Sequence, residues 1–569
     1  MRYLALATDY DGTLAHDGCA APETIAAIRR LKESGRKAIL VSGRQLPDLQ
    51  EAFPDFNVFD LIVAENGALL FDPMTKKESL MAEAPPPKLA EELRRRGAIP
   101  LAEGRVILAT WQPHETVVFE TIRDLGLEMQ VIFNKGAVMI LPSGINKASG
   151  LAAALETLGL SPHNVVAVGD AENDHALLQM SEAGVAVSNA LPALMEKADL
   201  VTKGDHGRGV VELIDGLLEN DLYHLAEKLK RHDLMMGKLR DESPMNVPAY
   251  GTGILIAGTS GGGKSTLAAT VIEQLLAKRY QFCIIDPEGD FAEMENAVIL
   301  GDAKRAPSPD EVMTILAKPL QNCVVSLIGL KLDDRPTYFE KLFAELLQLR
   351  IHTGRPHWVI LDEAHHILPS AREQAMVVRP SQLANMLFIT LEPEHVAKSI
   401  LKGIDLILAI GKEPAKTITT FSHAIDERPP PVPSAPLEKG LAMAWWRKPQ
   451  REPFVFESTT PTIPRHRHIR KYAEGDVKQE AFVFTGPDHR LKLRAQNLFI
   501  FLQIGEGVDD LTWDYHLRNG DYENWFRWTI KDRELAEAAS DIAAKHSLSP
   551  EETRHAIREV VEKRYTVPK

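Results

Sequence analysis

Two short polar motifs, each placed directly after an apolar segment, set the architecture of this 569-residue chain. The first is DYDGTL at residues 9–14, which follows the apolar residues 3–8. The second is GTSGGGKST at residues 258–266, which follows the apolar residues 253–257. Open parallel sheets bind ligands beyond the carboxyl ends of their strands, where the chain turns towards a helix. The sequence therefore predicts two separate α/β sheets, each with a ligand site of its own.

Length and composition indicate a multidomain protein without membrane contact. A chain of 569 residues exceeds what one hydrophobic core supports, and 44% hydrophobic with 25% charged residues is an ordinary globular composition. No apolar run reaches the roughly 18 to 20 residues that span a bilayer, and the apolar start is too short for a signal peptide. The distant Cys19, Cys283 and Cys323 have no metal-ligand spacing. We expect a cytoplasmic protein without disulfides.

The net charge of -14 weighs against general binding to nucleic acid. It leaves room for a local basic channel, because a ring-shaped assembly can be acidic outside and basic inside. The one dense basic segment is RHRHIRK at residues 465–471, and such a run is more often solvated surface than a binding site. A nucleic-acid partner stays open but is not indicated by charge.

Residues 1–222 have the pattern of a Rossmann-like α/β core with an inserted cap. Apolar strands at 3–8, 37–41, 61–64 and 165–168 alternate with helical segments such as 22–34. Residues of about 70–143 interrupt this alternation, with predicted strands near 106–111 and 137–141 and predicted helices near 87–96 and 115–125. An α+β insert between sheet elements is a cap.

The rest of the chain predicts three further parts, which make the fold class α/β multidomain. A charged, Leu-containing stretch at 222–240 predicts a helical connector, placed at 223–243. Residues 244–445 predict a second α/β domain with strands at 253–257, 282–286, 324–328, 358–361, 386–390 and 406–410. Residues 446–569 predict a mainly helical region, whose aromatic residues form either a small core, the favoured reading, or a stacking platform.

The first motif places two carboxylates at one strand end. Residues i and i+2 of a strand point the same way, so Asp9 and Asp11 straddle the end of the first strand, and Gly12 allows a sharp turn. Two carboxylates this close repel each other unless a cation neutralises them, and the hard cation Mg2+ is expected. Asp9 is predicted to attack phosphorus and form an acyl phosphate. Asp11 is predicted to act as general acid and then as general base.

Three more motifs follow in order: Ser42-Gly43-Arg44 after the second strand, Lys147 opening a helix, and Asp170 to Asp174 after a buried strand. This set resembles the haloacid dehalogenase (HAD) superfamily of phosphatases. The resemblance implies that Asp9 is the nucleophile and Asp11 the acid/base. It implies phosphoryl binding by Ser42, Gly43, Lys147 and Asn173. It implies Mg2+ binding by Asp9, Asp11 (through its backbone), Asp170 and Asp174.

The cap, inserted after residues 64–68, resembles that of a HAD subgroup acting on sugar phosphates, sucrose-phosphate-like esters and phosphoglycolate. The resemblance implies a small phosphorylated substrate, with the cap choosing the leaving group. Four cap residues are candidates to face the substrate, although surface or core roles are equally compatible: Arg105, Trp111, His114 and Asn134.

The second motif predicts a Walker A loop, which cradles ATP and its Mg2+ with backbone N–H groups at a helix N-terminus. Lys264 is predicted to reach the β- and γ-phosphates, and Ser265 to bind the metal. Residues 357–363 supply the Walker B partner, with Asp362 near the metal and Glu363 as the catalytic base. The predicted ATP-binding set is Gly258, Thr259, Ser260, Gly261, Gly262, Gly263, Lys264, Ser265, Thr266 and Asp362.

The phosphate loop, residues 285–291 and residues 354–358 together resemble the HerA/FtsK family of hexameric, RecA-like ATPases. The resemblance implies a homo-oligomer, with a hexamer as one form, and an arginine supplied by the neighbouring subunit. Arg335, Arg355, Arg372 and Arg379 are the candidates. Leu391 occupies the position where the family tends to have a Gln sensor, which puts motor activity in question.

Two functions remain open. The first is a Mg2+-dependent phosphatase of small esters with an attached ATP-binding and ATP-hydrolysing module. The second is a HerA-like, DNA-associated ring ATPase whose HAD domain acts on nucleotides or nucleic-acid ends. In a third, plainer reading, ATP only holds an oligomer together.

Overall fold

The computed structural model describes residues 1–259, 262–372, 380–432, 436–438, 440–447, 451–461, 481–488, 490–530 and 532–565. Ser260, Gly261, Arg379 and the basic segment 465–471 lie outside these residues. None of the described helices is long and apolar enough to cross a membrane.

The N-terminal unit alternates strands and helices as predicted. Its strands are β1 (Ala5–Thr8), β2 (Ala15–His16), β3 (Cys19–Ala20), β4 (Lys37–Val41), β5 (Leu61–Ala64), β6 (Leu69–Asp72), β7 (Lys77–Leu80), β8 (Ala102–Glu103), β9 (Leu108–Trp111), β10 (Met129–Asn134), β11 (Ala137–Pro142), β12 (Val165–Gly169), β13 (Ala183–Ala186) and β14 (Leu200–Val201). Its helices are α1 (Pro22–Glu33), α2 (Leu46–Ala52), α3 (Pro87–Arg95), α4 (Glu115–Leu125), α5 (Lys147–Leu158), α6 (His175–Met180), α7 (Pro192–Met195) and α8 (His206–Asn220).

This unit has a core sheet, a cap sheet and the small two-stranded sheet β2-β3. The eight-stranded core sheet has the order β14-β13-β12-β1-β4-β5-β6-β7, and its strands from β14 to β5 run parallel. The cap is the antiparallel sheet β10-β11-β9-β8 with helices α3 and α4. Thr8 lies beside both Val168 and Leu40 in the register, so the loops after β1, β4 and β12 leave one edge together.

A second α/β unit follows. Its strands are β15 (Leu234–Lys238), β16 (Pro244–Val247), β17 (Ile254–Gly258), β18 (Phe282–Asp286), β19 (Val298–Leu300), β20 (Cys323–Ser326), β21 (Trp358–Leu361), β22 (Met386–Thr390), β23 (Leu406–Ile410), β24 (Leu441–Trp446) and β25 (Phe454–Ser458). Its helices are α9 (Lys264–Ala277), α10 (Pro309–Leu316), α11 (Arg335–Thr353), α12 (Ala364–Ile367), α13 (Lys398–Leu401) and α14 (Pro414–Ala424).

The strands of this unit form an 11-stranded sheet in the order β16-β15-β25-β24-β23-β17-β22-β21-β18-β20-β19. Strand β22 separates β17, which leads into the glycine-rich loop, from β21, which leads to Asp362. All three strands run parallel, so both loops leave the same edge of the sheet. The sheet therefore brings the two predicted halves of the nucleotide site to one edge.

The prediction of a helical connector is wrong. Residues 223–228 and 230–232 form two short 3-10 helices, and β15 follows as a strand that pairs with β16 and with β25. The partner β25 lies more than 200 residues further along the chain, and no local pattern announces such a pairing. The sheet consequently extends beyond the limits of 244 and 445 that the sequence predicted.

The C-terminal region packs its aromatic residues into a core of their own. Its elements are β26 (Phe482–Phe484), β27 (Leu493–Ala495), α15 (Leu498–Gly507), α16 (Asp510–Arg518), α17 (Asp521–Trp528), α18 (Arg533–Ala544) and α19 (Pro550–Tyr565). Buried Trp513, Tyr522 and Trp525 surround Phe501, whereas Trp528 is 72% exposed. The prediction of a small aromatic core is thus confirmed.

The two α/β units meet through a buried polar cluster at the amino ends of their strands. Glu182, which precedes β13, is the centre of this cluster, and its carboxylate accepts hydrogen bonds from Arg2 and from the Tyr280 hydroxyl (3.0 Å). His163 Nδ1 lies 2.6 Å from the same carboxylate, and His163 Nε2 lies 2.8 Å from the carbonyl oxygen of Lys278. The His163 ring thus connects Glu182 of the first unit with the backbone of the second unit.

We expect Glu182→Gln to lower the free energy of unfolding by about 3 kcal/mol, because the change leaves the buried Arg2 guanidinium without its counter-charge. Although burial raises the pKa of Glu182, hydrogen bonding from His163 and the charge of Arg2 hold it well below its usual range. This stabilisation is complete above the usual glutamate pKa and is lost as the pH falls towards the lowered folded value. Urea unfolding at pH 7 and pH 4 measures both effects.

The matched control is Glu196→Gln, since Glu196 is exposed on the same unit. It should leave the urea midpoint unchanged at both pH values. A Glu182→Gln midpoint equal to that of the control would show that the cluster contributes no stability.

Candidate active sites

The N-terminal site is built around an ammonium group that bridges two carboxylates. Lys147 Nζ donates to Asp9 Oδ1 and to Asp174 Oδ1, both at 2.6 Å, and all three side chains are buried. Asp9 follows β1, Lys147 begins α5, and Asp174 follows β12. Asp174 Oδ2 also accepts the backbone N–H groups of Asp170 and Ala171 at 3.0 Å, so this carboxylate fixes the loop after β12.

Asp170 completes the carboxylate cluster. Ligand oxygens of Asp9, Asp170 and Asp174 lie within 4.8 Å of one another. Asp170 accepts a hydrogen bond from Thr13 Oγ1 at 2.9 Å and pairs with Lys135 Nζ, from the cap, at 2.5 Å. Gly12 has φ +85°, and a Cβ there would collide with the Asp170 carboxylate. Only glycine lets the first motif pass this close to the cluster.

Asp11 stands apart from the cluster at the mouth of the site. Its carboxylate is 40% exposed and forms a two-pronged ion pair with Arg44, with Nε–Oδ2 and NH2–Oδ1 distances of 2.7 and 2.6 Å. The Arg44 guanidinium also stacks on Tyr10, 5.4 Å from the ring centroid. Arg44 therefore fixes the orientation of a carboxylate that solvent can still reach.

The predicted phosphoryl-binding residues surround the floor of the site. Ser42 is buried, and its hydroxyl accepts the backbone N–H of Arg44 at 3.1 Å. A Cβ on Gly43 would lie 3.7 Å from Asn173 Nδ2, which donates to Asn66 Oδ1 at 3.0 Å. In the described residues Asn66 Nδ2 is buried without a hydrogen-bond partner. This donor is available to an anionic ligand.

Burial and charge act together on the central pair. Burial raises the pKa of Asp9 well above its usual value, and the neighbouring Asp174 and Asp170 add to this while Lys147 opposes it. Burial alone would lower the pKa of Lys147, but the carboxylates of Asp174 and Asp9 raise it above its usual value. The cluster thus favours a charged ammonium and has a strong electrostatic demand for further positive charge.

The cap contributes residues other than those expected from sequence. Trp111 is 54% exposed, His114 Nε2 lies 3.1 Å from the carbonyl oxygen of Ile99, and Arg105 pairs with Glu78. None of these contacts involves the carboxylate cluster. Of the four candidates, Asn134 is next to Lys135, the cap residue that does reach the cluster.

Sequence reasoning missed Lys135, Asn66 and Glu65, because none belongs to the four motifs. Glu65 is buried, and its carboxylate accepts three consecutive backbone N–H groups of the cap, at residues 105–107. The signal available in the sequence was the buried-strand context of Glu65 and Asn66, directly after β5. A carboxylate and an amide at a strand end next to a cap insert mark such a contact.

The second candidate site lies at the turn between β17 and α9. The loop leaves β17 at Gly258 (φ +152°), and α9 begins at Lys264 directly after Gly263 (φ +107°). Lys264 is buried, and its Nζ donates to the carbonyl oxygen of Gly258 at 3.1 Å. Thr259, Gly262, Ser265 and Thr266 line the described part of the loop, and Ser265 is exposed at the helix start.

A group of carboxylates follows β18 and β21. Burial raises the pKa of Asp362 well above its usual value, and the charges of Asp290, Glu363 and Asp286 raise it further. Asp286 accepts four backbone N–H groups from residues 288–291, and burial raises its pKa to about 6. Glu363 has the left-handed backbone conformation, with φ +38°. Strained backbone of this kind is concentrated at functional sites.

Strand β22, which lies between β17 and β21, ends with a threonine hydroxyl directly before Leu391 at the expected sensor position. Thr390 ends β22, and its Oγ1 lies 3.0 Å from His365 Nδ1, while that nitrogen lies 3.5 Å from Glu363 Oε2. Leu391, the next residue, is half-buried. Thr390 and His365 thus link the sensor strand to Glu363.

Arg355 is not the arginine that acts in a neighbouring site. Its side chain is 1% exposed, and the guanidinium donates to the carbonyl oxygens of Gly159 (2.9 Å) and Leu316 (3.0 Å). The guanidinium thereby joins the two α/β units within one chain. Arg335 is half-buried, and the exposed Arg372 donates to Thr337 Oγ1 at 2.8 Å.

Both α/β units match known families. A sequence model described as haloacid dehalogenase-like hydrolase matches residues 6–95 and 112–214, and one described as the central domain of the helicase HerA matches residues 237–397. The chain belongs to the haloacid dehalogenase-like hydrolase family through its N-terminal unit. The protein is an enzyme in which a HerA-type ATPase domain follows the N-terminal unit along the chain.

Two curated relatives each cover more than a third of this chain and nearly all of their own length. Phosphoglycolate phosphatase of Methanothermobacter thermautotrophicus is 30% identical over 220 residues, which are 37% of this chain and 96% of that protein. Phosphoglycolate phosphatase 2 of Saccharolobus solfataricus is 28% identical over 228 residues, or 38% of this chain and 94% of that protein. Among solved structures, the crystal structure of a haloacid dehalogenase-like hydrolase from Bacteroides thetaiotaomicron has 22% sequence identity and a TM-score of 0.33. The match covers 38% of this chain and 99% of that protein's chain.

Proposed function

We propose that the N-terminal unit is a Mg2+-dependent phosphatase that acts on a small phosphorylated metabolite through an aspartyl-phosphate. The observation that carries this proposal is the Lys147 ammonium group shared between Asp9 and Asp174, with Asp170 beside them. A buried carboxylate held by a lysine at the end of a strand is a nucleophile already placed for attack. The similarity to phosphoglycolate phosphatases makes phosphoglycolate the first substrate to test.

The residues of the cluster fit a magnesium ion. Mg2+ takes oxygen ligands and is held by one or two carboxylates together with substrate phosphate. Asp9, Asp170 and the backbone of Asp11 would hold the ion, with Asp174 fixing the Asp170 loop. Bound there, Mg2+ would neutralise the phosphoryl oxygens and the crowded carboxylates.

The chain's own residues supply the two chemical steps. Asp9 attacks phosphorus, the bond from phosphorus to the ester oxygen breaks, and Asp11 gives its proton to the departing alkoxide. Asp11 then takes a proton from water, whose oxygen attacks the aspartyl-phosphate and releases inorganic phosphate with Asp9 restored. Lys147, Ser42 and Asn173 hold the phosphoryl oxygens, and Arg44 keeps Asp11 oriented.

The second unit, in this proposal, binds and hydrolyses ATP with Mg2+. The predicted loop residues hold the phosphates, Lys264 and Ser265 contact the terminal phosphates and the metal, and Asp362 supports the metal. Glu363 polarises the attacking water. The unit forms a homo-oligomer, with six subunits as in the HerA class, and regulates or assembles the phosphatase.

A second candidate function rests on the match to the HerA central domain. In that case the chain is a DNA-associated ring ATPase, and its phosphatase acts on nucleotides or nucleic-acid ends. The measurement that separates the two is ATP hydrolysis with and without double-stranded DNA. Stimulation by DNA favours the ring ATPase, and an unchanged rate favours the metabolic phosphatase.

The substrate test uses Lys264→Ala protein, so that ATP hydrolysis does not contribute phosphate. We expect phosphate release from small phosphorylated metabolites, phosphoglycolate and sugar phosphates among them, to exceed release from nucleotides and end-phosphorylated oligonucleotides by at least roughly tenfold in kcat/KM, because a small cap encloses the site. Removal of Mg2+ with a chelator should abolish the release. A preference for nucleotides or oligonucleotides would contradict the metabolic proposal.

A further inference from the structure

The tip of the cap reaches into the reaction centre. Strands β10 and β11 are joined by the two-residue turn Lys135-Gly136, since Asn134 pairs directly with Ala137. Lys135 has φ +47° and Gly136 φ +88°, as a type I′ turn requires. Glycine and asparagine suit this backbone, whereas lysine adopts it rarely. An unfavoured residue held at a rigid tip points to a role for its side chain.

The Lys135 ammonium group occupies the place of a cation in the carboxylate cluster. Its Nζ lies 2.5 Å from Asp170 Oδ2, and Asp170 is 1% exposed. A Cβ on Gly12 would collide with both groups, so Lys135 lies directly over the nucleophile loop. The side chain itself is 47% exposed, and it can therefore leave without disturbing a packed core.

Cation binding would change the partner of Lys135. An ion held by Asp9 and Asp170 would neutralise Asp170 in its place and would leave the Lys135 ammonium group beside it with an unbalanced charge. In the proposed mechanism the buried Lys147 binds the phosphoryl oxygens, so Lys135 is not needed for that purpose. In-line attack by Asp9 sends the leaving group away from that floor, towards the side that the cap covers.

We propose that Lys135 is the specificity-determining residue that selects esters whose leaving group carries a second negative charge, such as a carboxylate. This inference rests on the proposed phosphatase function and names the class of substrate. In the absence of ligands Lys135 pairs with Asp170, and with metal and substrate bound it pairs with the carboxylate of the leaving group. A hydrogen bond between two charged groups in a partly closed site accounts for roughly 10- to 100-fold in affinity.

The test compares two esters in two matched variants. Lys135→Asn removes the charge and keeps a residue that suits the left-handed turn. Lys76→Asn makes the same change at another exposed lysine with positive φ (+57°), in the β6–β7 turn. The esters are phosphoglycolate, with a carboxylate on its leaving group, and p-nitrophenyl phosphate, with none.

We expect Lys135→Asn to lower kcat/KM for phosphoglycolate roughly 10- to 100-fold and for p-nitrophenyl phosphate less than about threefold. Lys76→Asn should change neither, and Lys135→Arg should restore part of the phosphoglycolate activity. An equal loss on both esters would overturn the inference, because Lys135 would then only hold the cap closed. If wild-type protein hydrolysed both esters no faster than Asp9→Asn, the phosphatase function itself would fail, and the inference with it.

Metal binding gives a readout that does not depend on turnover. Because Lys135 competes with a cation for Asp170, Lys135→Asn should bind Mg2+ several-fold more tightly than wild type in calorimetry without substrate or nucleotide. Lys76→Asn should bind as wild type does. Equal or weaker Mg2+ binding by Lys135→Asn would show that Lys135 does not stand in for the cation, and would overturn the exchange of partners.

Discussion

Asp9→Asn protein should release phosphate from esters on the order of 10⁴-fold more slowly than wild type, or not at all, while hydrolysing ATP at the wild-type rate. The amide keeps the shape of the side chain but cannot attack phosphorus. The change also removes one of the two negative charges that pair with Lys147. The loss of the nucleophile, rather than a change of structure, accounts for the expected loss of ester hydrolysis. Phosphate release from phosphoglycolate and from ATP, measured on the same preparation, checks both parts of the prediction.

The control for this change is Asp17→Asn, on the exposed turn between β2 and β3. Asp17 has φ +49°, a backbone conformation that asparagine accepts, and its side chain is 92% exposed. It should leave both activities intact. Full ester hydrolysis by Asp9→Asn protein would show that the nucleophile is another group and would refute the site assignment.

Lys264→Ala should have the reverse effect and reduce ATP hydrolysis by roughly 10²- to 10³-fold without slowing ester hydrolysis. Lys264 begins α9 and is the buried cation of the phosphate loop, so alanine leaves the γ-phosphate without its nearest positive charge. A coupled assay for ADP and a binding assay with a non-hydrolysable ATP analogue separate lost binding from lost chemistry.

Lys304→Ala, at an exposed position of the same unit, is the control and should retain ATP hydrolysis. If Lys264→Ala also slowed the phosphatase, the two units would be coupled through nucleotide, and a gel-filtration comparison of the two variants would then show whether assembly mediates the effect. ATP hydrolysis at the wild-type rate in Lys264→Ala would rule out this loop as the catalytic one.

Local sequence pattern predicted most of the parallel strands of the two large sheets, because they are apolar segments that end at polar or glycine-containing loops. Strands β4, β5, β18, β21, β22 and β23 have the predicted limits. The pattern failed at β15, the short strand LMMGK at the end of a charged stretch, whose pairing with β25 is set by residues far along the chain. A strand of five residues is too short for its periodicity to distinguish it from a helix.

The motifs also located the residues of the sites better than the contacts between them. The positions of Asp9 and Asp170 follow from strand ends and that of Lys147 from a helix start, but the hairpin tip that brings Lys135 over Gly12 does not follow from the sequence. The sequence did not predict the cluster around Glu182 either, because Arg2, His163 and Tyr280 are far from one another along the chain. Polar contacts between distant segments need the tertiary structure.

The two sheets meet at the amino ends of their strands, and this arrangement determines how products or signals can pass between the two candidate sites. The candidate site of each unit lies at the carboxyl edge of its own sheet, on the side away from this contact. A product released at one site would therefore leave on the side opposite to the other site of the same chain. A signal between the two sites of one chain would have to cross this boundary, where Arg355 contacts Gly159 at the carboxyl end of α5, the helix that begins at Lys147.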